Sequence, residues 1–203
     1  FTPTATATET FPPTNTATHT STPTDTPTDT PTDTPTNTPT PPAVITGTVT
    51  YGNAIGAPNP PRNVPGVLIS AVGSPNVSDT TGALGTYSLT GFGAGSYTIT
   101  PSKTGGQNSS IGSFDAGKIA QHAVGSSLLN PTQQTVADVS GTNGISSFDA
   151  ALIARFAAGL GPPTGSTGNW IFVPASNTHA SVTSDITGDD YSALLMGAAW
   201  GHW

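Results

Sequence analysis

Threonine occupies every even position from Thr2 to Thr40 except one, Pro12, and from Pro23 onward the odd positions alternate proline with Asp or Asn. Each proline from Pro23 to Pro39 follows a threonine, and the proline ring pushes the preceding residue out of the helical region. Helix is thereby excluded from this tract. Threonine is β-branched and favours extended backbone, while each proline lacks an N–H donor. In an extended chain successive residues aim their N–H and C=O groups at opposite edges, so prolines on odd positions spoil one edge and leave the threonine edge intact. Residues 1–42 therefore read as an extended arm with a contour of roughly 130–140 Å.

Such an arm has too few apolar groups to build a core, and ordering its backbone costs about 1–2 kcal/mol per residue. If it is ordered, it is held by neighbouring copies, by the rest of its own chain, or by a sheath of glycan. The hydroxyls expected to carry sugar are those of Thr24, Thr26, Thr28, Thr30, Thr32, Thr34, Thr36 and Thr38. A net charge of −7, from four Lys or Arg against eleven Asp or Glu, argues against a nucleic-acid partner. No run approaches the roughly 20 apolar residues of a membrane span, and no secretory leader pattern is present. The chain reads as a processed or excerpted extracellular or cell-surface protein. The absence of cysteine leaves the redox compartment open.

Past the arm the pattern changes to short alternating runs bounded by Gly, Pro and Asn. Strands are predicted at Val44–Tyr51, Gly66–Val72, Thr86–Leu89 and Ser96–Thr100, with Trp170–Val173 and Tyr191–Met196 in the tail. The opening ITGTVTYGNAIGAP, the strand GVLISAVG and the stretch from Asp79 to Lys103 resemble the β-sandwich modules of the carboxypeptidase-regulatory or Cna-B type. That resemblance implies stalk or spacer material, in some members cross-linked by an isopeptide bond. Only Lys103 or Lys118 could supply its amine here, and neither sits in an identifiable Lys/Asn pair.

A repeat at an offset of 34 residues follows: Ile111 to Gly125 matches Ile145 to Gly159 at nine of fifteen positions. Each copy is expected to be a loop feeding a short helix, with Asp115 or Asp149 near the helix N-terminus and Gly125 or Gly159 as a left-handed C-cap. Ile145, Phe148, Leu152, Ile153 and Phe156 recur at helical spacing and are predicted to form one buried stripe.

Calcium takes six to eight oxygen ligands, which helix-loop sites supply from alternate loop residues and a closing carboxylate. Counting from Asp138 as position 1 places Ser140 at 3, Thr142 at 5, the Gly144 carbonyl at 7 and Asp149 at 12. Asn143 must then adopt the left-handed turn at position 6, which asparagine tolerates. The first copy offers only Asn108 and Asp115, so little or no metal is expected there. The segment from Ala137 to Leu160 resembles a dockerin repeat. The resemblance implies one calcium ion in the second loop, and recognition of a cohesin-type partner through loop positions 10 and 11. These are Ser147 and Phe148, with Ser113 and Phe114 in the first copy.

No catalytic constellation emerges, and the chain is read as a non-enzyme. His19, His122, His179 and His202 have no paired spacing for zinc, and Asp189-Asp190 reads as a solvated turn. Trp170, Trp200, Trp203 and Tyr191 are read as buried anchors rather than a sugar platform. The expected fold is mainly β: an antiparallel β-sandwich (43–103) continued by C-terminal strands (161–203), with an inserted pair of loop-helix units (104–160). Two functions compete. One is a secreted structural subunit that polymerises with other copies into a filament or surface layer, the arm lying along neighbours. The other is an adaptor tethering extracellular proteins through a cohesin-type partner. Exposure of Phe114 and Phe148 favours the adaptor; burial of both favours an intramolecular role.

Overall fold

The computed structural model of the chain describes residues 3, 5, 7–14, 42–53, 62–107 and 109–201. It falls into two units, Phe1–Pro39 and Thr40–Trp203. In the first, the described residues form neither helix nor strand and are all exposed. The candidate glycosylation sites Thr24 to Thr38 lie outside the described residues.

The second unit is mainly β. Its described strands are β1 (Ile45–Tyr51), β2 (Leu68–Val72), β3 (Val77–Thr80), β4 (Thr86–Leu89), β5 (Tyr97–Ser102), β6 (Trp170–Val173), β7 (Asn177–His179), β8 (Ile186–Thr187) and β9 (Tyr191–Leu195). Three helices, α1 (Ser113–Ala123), α2 (Pro131–Ala137) and α3 (Ser147–Ala157), come between β5 and β6. One sheet runs β4-β1-β9-β6 with β8 also beside β1; the other runs β3-β2-β5-β7. Most pairs are antiparallel, but β1 runs parallel to both β8 and β9, against the antiparallel expectation. Parallel neighbours need a long crossover. The chain from β1 to β8 supplies one, through four strands, three helices and two more strands.

Alternation explains why these segments are strands. In β4, Tyr87 and Leu89 are buried while Thr86 and Ser88 face solvent, and β5 buries Tyr97, Ile99 and Pro101 in the same rhythm. One core cluster takes Ile45, Val49 and Leu89 from the first sheet, Ile69 and Ile99 from the second, and Ile119, Val136 and Ile153 from the helices. Tyr191 on β9 reaches across, its hydroxyl donating to the Ile99 carbonyl of β5 at 3.2 Å. Trp170 is buried as expected, with its indole N–H on the Gly105 carbonyl at 2.8 Å.

The Asp189-Asp190 pair departs from its solvated-turn expectation. Asp189 is 4 % exposed, and its Oδ2 lies 2.7 Å from the Tyr87 hydroxyl, which also contacts the Asp189 carbonyl. Its Oδ1 accepts from Asn177 at 2.6 Å and lies 3.4 Å from His179 Nε2. Neighbouring side chains on extended backbone diverge, so Asp190 points outward and accepts from the Thr48 amide at 2.7 Å. β1 approaches this turn so closely at Gly47 that a Cβ there would lie 2.2 Å from the Asp189 carbonyl oxygen. No helix among the described residues is long and apolar enough to cross a membrane.

Candidate functional site

The 34-residue repeat is realised as matched geometry. α1 and α3 are both eleven residues long, begin at equivalent positions and pack against each other. Gly125 and Gly159 follow them at φ 73° and 66°, the left-handed caps expected from sequence. Asn143 has φ 58°, as the loop count requires, and its equivalent Ser109 has φ 57°. Both helices carry an aspartate in the first turn that reaches back to the N-cap amide: Asp115 to Gly112 at 2.8 Å, Asp149 to Ser146 at 2.9 Å.

In the second loop the counted ligands converge. Asp138 Oδ1 accepts from the Gly141 and Thr142 amides at 3.0 and 3.2 Å and from the Ser140 hydroxyl at 3.3 Å. The Ser140 and Thr142 hydroxyls lie 3.0 Å apart, and Thr142 reaches the Gly144 carbonyl at 3.4 Å. Asp149 closes the loop by accepting from the Ser140 amide at 2.9 Å through Oδ1. Burial alone would raise the Asp149 carboxyl, but hydrogen bonds from Ser140 and Ser146 outweigh it and hold the group below the usual carboxylate value. Two carboxylates, two hydroxyls and a carbonyl form a hard oxygen set suited to calcium, with water needed to complete six or more ligands. Its charge is low. Among the described residues no three His, Cys, Asp or Glu side chains gather as a metal cluster.

The first copy is built differently. Asn108 lies outside the described residues. Asp115 gives its second oxygen to the C-terminal segment, accepting from the Trp200 amide at 2.8 Å. That segment is anchored by α2: the Gly197 amide donates to the Val136 carbonyl at 2.7 Å, and Gln133 donates to the Ala199 carbonyl at 2.8 Å. The Trp200 amide thus stands to Asp115 as the Ser140 amide stands to Asp149 in the second loop.

α2 itself was missing from the sequence reading, although its signal is present in Asn130-Pro131-Thr132-Gln133. Asn130 accepts from the Gln133 amide at 2.9 Å, Gln133 reaches back to the Asn130 amide at 2.8 Å, and proline sits at the first helical position.

The predicted recognition residues are exposed. Phe114 is 76 % and Phe148 57 % accessible, and Ser113 and Ser147 face solvent beside them. This corrects the buried stripe. Asp149, with 0 % exposure, is turned inward to close the loop. Successive residues on a helix point about 100° apart, so Phe148 is rotated out. The buried residues of α3 are Asp149, Ala150, Leu152 and Ile153, with Ile145 and Phe156 partly buried against the core. Trp200 is also only partly buried; His19, His202 and Trp203 lie outside the described residues. Beside Phe114 runs a groove of about 340 Å³ lined by Ser113, Gly117, Lys118, Gln121 and Trp200. Lys118 Nζ stands 4.7 Å above the Trp200 ring, and the Phe114 and Trp200 centroids are 6.5 Å apart.

The two lysines considered for a cross-link are otherwise engaged. Lys103 donates to the Pro65 carbonyl at 2.8 Å, and burial lowers its pKa. His122 accepts from the Leu129 amide at 3.1 Å, a structural role. Neither family models, nor curated proteins, nor solved structures match this chain.

Proposed function

We propose that this chain is a non-enzymatic extracellular docking module. A β-sandwich carries an inserted pair of dockerin-like loop-helix units, and the Thr/Pro arm is its tether. The observation that carries the reading is the outward placement of Phe114 and Phe148 at equivalent positions of paired helices. Interface anchors are enriched in aromatics, and an exposed aromatic beside a serine on each of two related helices makes a surface with near-twofold character. Calcium at Asp138, Ser140, Thr142, Gly144 and Asp149 would stiffen α3 and hold Phe148 in place. The partner is of the cohesin type. Calorimetric titration of the full chain with such a domain is the test: Phe148→Ala and Phe114→Ala each weaken binding about 30-fold. Equal affinity for both variants and the parent removes the reading.

A second reading, assembly of copies into an extracellular filament or surface layer, is favoured by Phe11. This large apolar side chain is 85 % exposed in a tract made mostly of threonine and proline. Electron microscopy of concentrated protein tests it, and dispersed single particles at every concentration count against it.

A further inference from the structure

We propose that Asn143 is a self-modifying site: the Gly144 amide nitrogen attacks the Asn143 carboxamide carbon, and the residue ends as aspartate or isoaspartate, a third carboxylate in the second loop. The chemistry stands on the chain alone, while its effect on calcium rests on the metal reading given above.

Asn143-Gly144 is the one Asn-Gly pair in the chain. Glycine matters as the following residue because it has no Cβ to crowd the attacking nitrogen. Asn130 precedes a proline, which has no N–H to give up, and Asn63 and Asn169 precede the bulky Val64 and Trp170. Asn53 is 3 % exposed, and its amide donates to the Leu195 and Ala198 carbonyls at 2.8 and 3.0 Å. Asn177 is tied to Asp189 at 2.6 Å. Asn143 differs from all of these. It is exposed, and among the described residues neither its carboxamide nor the Gly144 N–H has a hydrogen-bond partner.

The step balances with water as the only co-reactant. The Gly144 nitrogen loses its proton to solvent and bonds to Asn143 Cγ; the Cγ–Nδ2 bond breaks, and Nδ2 leaves as ammonia with a proton from water. The cyclic succinimide then takes up one water at either of its carbonyls. Opening at one leaves aspartate in a normal main chain, and opening at the other routes the main chain through the side-chain carbon as isoaspartate. Nitrogen and carbon belong to adjacent residues, so proximity favours closure. Asn143 sits at φ 58°, and the attack needs rotation about its Cα–C bond. That rotation breaks no hydrogen bond of the Gly144 N–H, and nothing lies within 4 Å of where a Gly144 Cβ would stand.

The change bears on the loop because Asn143 and Asp138 line one depression. Asp138 and Asp149 are the only carboxylates from 138 to 149, and ligand charge tunes calcium affinity. An aspartate at 143 tightens the site, and left-handed backbone suits it as it suits asparagine. Isoaspartate lengthens the main chain between Asp138 and Asp149 by one carbon and loosens it. With Asp138 and the Gly144 carbonyl both held on an ion, the rotation needed for attack is restrained on either side of Asn143.

Peptide mapping by mass spectrometry tests this on the full chain incubated at neutral pH with a chelator. The peptide holding Asn143 gains about 1 Da as the amide becomes an acid, and it separates into two products of equal mass. Gly144→Ala, at a position with open space and no left-handed backbone, slows the gain about tenfold. An Asn143 still intact after the free peptide Gly141–Ser146 has fully converted, or a Gly144→Ala chain that converts as fast as the parent, overturns the proposal. Saturating calcium slows the parent about tenfold. Conversion in chelator that calcium leaves unchanged upholds the modification and removes the metal reading, so the two fail separately. Asn143→Asp binds calcium about tenfold more tightly in calorimetric titration. An affinity no higher than that of a calcium-binding parent overturns the retuning of the loop.

Discussion

The Trp200 backbone amide donates to Asp115 Oδ1 at 2.8 Å, in the position where the Ser140 amide donates to Asp149 at 2.9 Å. One turn from the far end of the chain thus does for α1 what the adjoining loop does for α3. Trp200→Ala keeps the amide and removes the groove wall, so thermal stability changes little. Trp200→Pro deletes the donor and leaves Asp115, only 3 % exposed, one hydrogen bond short. A loss of about 1–3 kcal/mol in chemical denaturation is expected for the proline variant. Equal stability of the two variants would dismiss the bond as a contributor.

Calcium binding should register as stability. An ion bound only by the folded loop adds about 2.7 kcal/mol when its free concentration is a hundredfold above its dissociation constant. The melting temperature of the full chain should rise with calcium and fall with a chelator. Asp138→Ala, which removes the carboxylate at loop position 1, should abolish the shift. Indifference of the parent chain to calcium ends the metal reading.

Asp189 is the buried junction of Tyr87, Asn177 and Tyr191, with His179 beside it. Removing it strands several polar groups at once, and Asp189→Ala should cost about 3 kcal/mol or more by urea denaturation. Asp190→Ala, on the exposed neighbour, should cost less than about 1 kcal/mol. Similar costs for the two would mean that Asp189 is hydrated in solution.

The pH dependence has a defined sign at each end. Asp149 is held below its ordinary value of 3.8, so its stabilising contribution is complete above that pH and is lost as pH falls through the lower folded value. Asp149→Asn should flatten the acid limb of stability against pH. At the alkaline end, burial together with the hydrogen bond and charge of Asp189 raises the Tyr87 hydroxyl above its ordinary 10.0. The unfolded chain then ionises first. Stability should be full below pH 10 and fall above it, less steeply in Tyr87→Phe. Superimposable limbs for parent and variants would contradict both assignments.

Much of the β framework was legible from local pattern. Thr86–Leu89 and Trp170–Val173 were read at their observed bounds, and four other strands were placed within two residues at each end. The missed strands carry no such pattern. β7 and β8 are three and two residues long, and β3 buries no residue fully. Phe148 was misplaced because helical spacing alone fits it to the apolar stripe; the capping demand on Asp149, one residue along, sets the actual rotation of α3.

The sequence by itself determined the duplication that makes α1 and α3 alike, and the left-handed turns at Asn143, Gly125 and Gly159. These follow from steric limits and periodicity within a few residues. Only the tertiary structure decided that Asp189 is buried among two tyrosines, and that Asp115 is completed by an amide 85 residues away. Pairings across such separations depend on which surfaces the core brings together, and no short stretch of residues encodes that.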